Sequence, residues 1–134
     1  MKNVFNPLSE NFDLAGDYLK IAAGEVFAKG EIGYLKSDGK IWKSNATDAT
    51  KMPVLYMATG AIAANAVGTF LRSGTLTKAT WNWTIGAKLY ASSDTDGAMT
   101  STPPAGTGKV VQIVAHALSA TLVDFRPFDF LELT

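Results

Sequence analysis

Short apolar runs punctuated by glycine organise this chain, and their spacing is that of strands. From Tyr18 onward, turn formers recur at Gly24, Gly30, Gly33, Asp38-Gly39, Gly60, Gly68, Gly74, Gly86, Asp96-Gly97, Gly106 and Gly108. The runs between them are rich in Val, Ile, Thr and aromatic residues, which fit a pleated, half-buried surface. Ile32–Lys36 enters Ser37-Asp38-Gly39 and Lys40–Lys43 leaves it, so this stretch predicts a hairpin in which Asp-Gly supplies the positive φ angles of a type I′ turn. Trp81-Asn82-Trp83-Thr84-Ile85 alternates strictly and predicts a strand that buries Trp83 and Ile85 together. Lys109–Leu118 reads as a longer strand with Val111, Ile113, Ala115 and Ala117 on one face. Val123–Arg126 alternates as well, until Pro127 breaks the ladder and marks an edge or a bend. Met57–Val67 is rich in alanine, but Gly60 interrupts it and no amphipathic stripe runs through it, which disfavours a helix. Tyr34–Gly39 and Leu89–Gly97 echo each other as strand, Ser/Asp turn and return strand, while Thr100–Gly108 is the longest loop.

The first 17 residues follow a different rule. Asn3, Asn6, Pro7, Ser9, Asn11 and Asp13 are turn and loop formers, with Phe5, Leu8, Phe12 and Leu14 spaced between them. A disordered tail carries fewer apolar residues than this. The expectation is an irregular arm over residues 1–17, docking through Phe5, Leu8, Phe12 and Leu14, ahead of a β domain over residues 18–134. The fold class is therefore all-β: a small single-domain β-barrel or β-sandwich of short antiparallel strands.

Composition narrows the chemistry. With 134 residues, 12 basic and 12 acidic groups, the chain has room for one domain and no net charge to attract nucleic acid. Absence of cysteine removes a disulfide framework and a thiol nucleophile, and one histidine cannot build a nitrogen-ligated metal site. No apolar run reaches the length of a membrane span, and Met1–Pro7 lacks the apolar core of a secretory signal. A Ser/His/Asp triad would have to use His116, which lies inside a predicted strand with no nucleophile elbow anywhere. Ser92–Gly97 has part of a calcium-loop spacing, but Ser92 and Pro103 stand where its first and last carboxylates belong, so a hairpin turn explains it better. Gly106-Thr107-Gly108-Lys109 lacks the spacing of a phosphate cradle. Trp42, Trp81 and Trp83 could form an aromatic platform for sugar, and packing in a barrel core is the favoured alternative. Neither an enzyme nor a cofactor is expected.

Several segments together resemble a known module. They are Gly33-Tyr34-Leu35-Lys36-Ser37-Asp38-Gly39-Lys40, Ala46-Thr47-Asp48-Ala49, Val54–Ala58, Gly68–Leu76, Ile85-Gly86-Ala87-Lys88-Leu89-Tyr90 and Gly108–Ala117. Their order resembles the small β module of tailed-phage virion proteins, found in capsid decoration (cement) proteins akin to lambda-like head decoration proteins and in head-fibre and tail-fibre domains. Thr69–Leu76 looks most like the decoration pattern, and Phe125–Thr134 extends beyond it. The resemblance implies a β-tulip-like fold with a hairpin at Gly68–Gly74, a homotrimer and a place on the outer surface of the phage head. It also implies the major capsid protein lattice as partner, while charge and apolar run length argue against nucleic acid and membrane as partners. The alternative it implies is a head-fibre, collar or tail-fibre subunit in host adsorption.

Overall fold

The structure, a computed structural model, describes residues 14–128 and 130–133. The fold is all-β, a curled antiparallel half-barrel. Its strands are β1 (Leu14–Ala22), β2 (Ile32–Leu35), β3 (Ile41–Lys43), β4 (Tyr56–Ala58), β5 (Val67–Thr77), β6 (Lys88–Ala91), β7 (Met99–Thr100), β8 (Val110–Ala117), β9 (Leu122–Phe125) and β10 (Phe130–Glu132). A single 3-10 turn at Ala49–Lys51 follows β3. The sheet runs β3-β2-β4-β5-β9-β8-β6-β7, with β1 along the second edge of β5 and β10 along β8.

The long strand β5 separates two apolar clusters, because successive side chains of a strand point to opposite faces. Leu71 and Leu76 enter the larger cluster with Ile32, Met57, Leu89, Val110, Val123 and Phe125, all fully buried. Phe70 enters a smaller one with Ala23, Phe27, Ile41, Ala58 and Ile62. There the rings of Phe27 and Phe70 meet edge-on at 5.2 Å, the arrangement that ring quadrupoles favour. One buried polar side chain crosses the larger cluster. Gln112 is 1% exposed; its amide oxygen accepts from the Val54 N–H at 2.7 Å. Its amide nitrogen donates to the carbonyls of Val54 and Phe128, at 2.9 and 2.8 Å. Val54 lies outside the named strands, so Gln112 stands in for a missing ladder neighbour.

Five details depart from the sequence-based expectations. The hairpin joining β2 and β3 forms, but in the three-residue form: Gly39 donates to Lys36 O and Lys36 to Lys40 O. Only Gly39 takes a positive φ (83°), which is a G1-bulge loop, not a type I′ turn. Gly68 and Gly74 bound no hairpin; both lie inside the single 11-residue strand β5. They are gaps: the Ile62 side chain lies over Gly68, and Gly74 faces Gly16 across β1. Trp81–Ile85 is not a strand either, because its backbone bonds to loops: Trp81 N–H to Lys78 O and Trp83 N–H to Ala120 O. The Thr84–Ala87 turn then throws Ile85 outward, 74% exposed, so it is not buried with Trp83. On β8 the buried set is Val110, Gln112, Val114, Ala115 and Ala117. Leu89 pairs with Ala115 and Tyr90 with Ile113, so Val114 is an extra residue that resets the alternation. Finally, β1 begins at Leu14, so Leu14–Asp17 belong to a strand and not to an irregular arm.

Candidate docking surface

Strand β1 lies along the outer side of β5. It pairs with β5 from Leu14↔Leu76 to Ala22↔Val67. At Gly16 the two backbones come so close that a Cβ would sit 2.2 Å from the Ser73 carbonyl oxygen. The φ there is +143°, a conformation that glycine alone adopts without strain. Past Gly16 the register slips by one residue between Asp17 and Tyr18, leaving Arg72 as a bulge on β5. Gly16, Asp17, Tyr18 and Lys20 are exposed, while Leu19, Ile21 and Ala22 are half-buried. Tyr18 keeps 52% of its surface. The second edge of β1 pairs with no strand among the described residues. Such an edge presents a row of backbone N–H and C=O groups that can template another chain. The bulge and the charges of Asp17 and Lys20 are devices that blunt indiscriminate pairing at such an edge.

A cleft adjoins this strand where β5 changes partner. Leu71 of β5 pairs with Met57 of β4, whereas Gly74 pairs with Phe125 of β9. Arg72 and Ser73 lie between these two pairings and line an opening of about 340 Å³ with Asp17, Leu55, Tyr56 and Pro127. The Arg72 guanidinium lies 3.7 Å from the Asp17 carboxylate with both side chains exposed, so the pair contributes little to stability.

The residues singled out from sequence fall in separate places. Phe5, Leu8 and Phe12 lie outside the described residues; Leu14 opens β1 opposite Leu76. His116 sits on β8 between Lys88 and Asp124 on the neighbouring strands, with its ring 6.0 Å from that of Phe128. Ser92–Gly97 is the hairpin loop between β6 and β7: the Ser92 hydroxyl accepts from the Asp94 and Thr95 amides, and Asp96 accepts from the Asn45 side chain. Among the described residues no three His, Cys, Asp or Glu side chains come together as a metal site would need.

The three tryptophans divide. Trp42 lies flat on Gly24, its indole N–H donating to Asp38 and its ring under the Lys36 ammonium at 4.4 Å. The Lys40 amide, helped by that indole, holds the Asp38 carboxyl below the usual carboxylate range. Asp48 is lowered likewise by the Thr50 hydroxyl and amide. Burial raises the Tyr34 phenol, with Glu25 adding to the effect. Trp81 and Trp83, by contrast, share a cleft, with ring centroids 6.3 Å apart.

Sequence reasoning missed the strand of Asp17, Tyr18 and Lys20. The alternation Tyr18-Leu19-Lys20-Ile21, polar out and apolar in, was the available signal, and a boundary drawn at residue 17 cut through the strand. Comparison with protein-family models, curated proteins and solved structures finds no match to this chain.

Proposed function

We propose that this chain is a structural protein of a phage virion, a capsid decoration protein that binds the outer surface of the assembled head and stabilises it. The observation that carries the reading is the second edge of β1, which pairs with no strand among the described residues and is continuous at Leu14 with the segment holding Phe5, Leu8 and Phe12. A strand edge of this kind suits strand addition between chains, in which main-chain hydrogen bonds give affinity and alternate side chains give register. The β2–β3 hairpin and strand β8 keep part of the turn-and-strand order that resembles decoration proteins and support the same reading, whereas its Gly68–Gly74 hairpin does not form.

The mechanism is mass action. A ligand that binds only the assembled shell stabilises that state by its binding free energy. A homotrimer makes three attachments at once, so modest single-site affinities combine through effective concentration. The test is to mix the purified protein with expanded, undecorated phage heads and image the particles. Density at three-fold or pseudo-three-fold positions is expected, and density confined to the tail or a vertex overturns the reading in favour of a fibre or collar subunit.

A further inference from the structure

We propose that the cleft at Arg72 is a carboxylate-binding site, taking one monoanionic carboxylate borne on a small apolar group. This proposal does not rest on attachment to a capsid. The path of β5 makes the site. On one side β4 pairs with it at Met57↔Leu71 and β9 at Phe125↔Gly74; on the other, β1 passes from Tyr18↔Leu71 to Asp17↔Ser73. Arg72 therefore has no register partner on either side of its own strand. An extra residue of this kind re-aims a side chain, and such bulges recur beside functional sites.

Three features select a carboxylate. Arg72 is exposed, and its guanidinium makes no hydrogen bond among the described residues; its ion pair with Asp17, at 3.7 Å, is too long to be one. A guanidinium presents a planar fork of N–H donors that matches the two oxygens of a carboxylate. Tyr56 and Ser73 line the same opening, and their hydroxyls have no hydrogen-bond partner among the described residues. Neither hydroxyl is sealed in, so each can donate to an incoming oxygen. Leu55, 40% exposed, and Pro127 supply an apolar wall for the group that carries the carboxylate.

Size and charge set the limits on the occupant. The opening, about 340 Å³, lies at the small end of the roughly 300–1,000 Å³ of ligand pockets, which suits a group the size of one amino acid. Its lining carries one charge of each sign, Arg72 and Asp17. A phosphate dianion would bring two charges against Asp17 with one arginine to meet them, whereas a single carboxylate matches the arginine. Asp17 acts as the resident counter-ion, exposed and loosely held, and gives way to the ligand.

The experiment titrates the ¹⁵N-labelled full chain at low salt with N-acetyl-leucine, N-acetyl-leucine amide, N-acetyl-glutamate α-amide and inorganic phosphate. It reads the Arg72 Nε–H resonance and the backbone amides of Arg72 and Ser73. At least one carboxylate probe should give a saturable shift with millimolar affinity, while the neutral leucine amide gives none. N-acetyl-leucine binds the tighter if the natural source is a chain terminus, and the glutamate probe if it is an acidic side chain. Arg72→Gln should weaken binding about tenfold or more, the loss of a charge-assisted pair. Asp17→Asn removes the competing carboxylate and should tighten binding about threefold. An unchanged backbone spectrum will show that either variant is folded. No saturable shift with either carboxylate into the tens of millimolar overturns the proposal, as does a shift that survives in Arg72→Gln or appears equally with the amide. Weaker binding in Asp17→Asn also overturns it, and phosphate binding tighter than either carboxylate overturns it in favour of a phosphate site.

Discussion

Replacing Gln112 by leucine tests whether one buried amide holds the Val54 segment to the sheet. The side chain is 1% exposed and makes three hydrogen bonds, two to Val54 and one to the Phe128 carbonyl. Leucine strands the N–H and C=O of Val54 at about 1–3 kcal/mol each, and the Phe128 carbonyl, nearer to water, at about 1 kcal/mol. Burial of the leucine side chain offsets about 2 kcal/mol of that. The net loss is about 3 kcal/mol, a fall in Tm of about 10 °C for a domain of this size. Thermal unfolding followed by circular dichroism measures it.

Gln112→Glu sharpens the test. An ionised carboxylate accepts from the Val54 N–H but cannot donate to either carbonyl, whereas the protonated acid donates one bond. Burial and the missing donor both raise the folded-state pKa of that glutamate above its unfolded value of about 4.3. A raised carboxyl contributes stability that is full below the unfolded pKa and is lost as pH rises through the folded one. Gln112→Glu should therefore come closest to the parent near pH 4 and fall furthest behind it at pH 7. If both variants melt within a degree or two of the parent at every pH, the amide clamp is not what holds Val54.

Four further outcomes follow from the geometry. Phe70→Ala, in the smaller cluster, should cost about 3–5 kcal/mol and still give one unfolding transition; a separate early transition would show that the two clusters melt independently. Gly16→Val should detach β1, because its side chain meets the Ser73 backbone, and amide hydrogen exchange should rise across Leu14–Ala22 while β8 and β9 stay protected. Asp38 has a lowered pKa, so its contribution is full above 3.8 and lost as pH falls below it; Asp38→Ala should flatten the acid limb of the stability profile, measured by urea unfolding. Deleting residues 1–13 should leave the melting curve unchanged and strongly weaken attachment to phage heads in a co-sedimentation assay; unfolding of the truncated chain would place that segment in the domain's own core.

The legible parts of the sequence were the local ones. The β2–β3 hairpin and strand β9 follow from turn chemistry and alternation within a dozen residues. Three misreadings share a cause, which is that the deciding contact is distant. Strict alternation at Trp81–Ile85 means burial only if a partner strand runs beside it, and the chain instead bonds to Ala120. The face of β8 is reset by a bulge that exists only against β6. Gly68 marks the place where Ile62 must fit, and pattern alone cannot tell a glycine that makes room from one that makes a turn. In the tryptophan cleft, Glu31 from before β2 and Trp83 from after β5 are brought together, and no spacing announces that.

The position of β5 also governs how this chain reaches its fold. Its partners Lys20 on β1 and Val123 on β9 lie roughly fifty residues away in either direction, so each pairing must close a long loop before it gains anything. During synthesis β1 has no sheet to join until Val67–Thr77 has left the ribosome. The larger cluster then waits for Val123 and Phe125, close to the end of the chain. Folding should therefore be slow for a chain of this length, on the order of milliseconds to seconds, and nearly all-or-none once β9 arrives. Substitutions that weaken β5 should slow the folding limb of a chevron plot, whereas those in the β6–β7 loop should act mainly on unfolding. Until that moment β1 and β5 lie beside an unformed sheet, which makes the interval before β9 emerges the point of greatest exposure to aggregation.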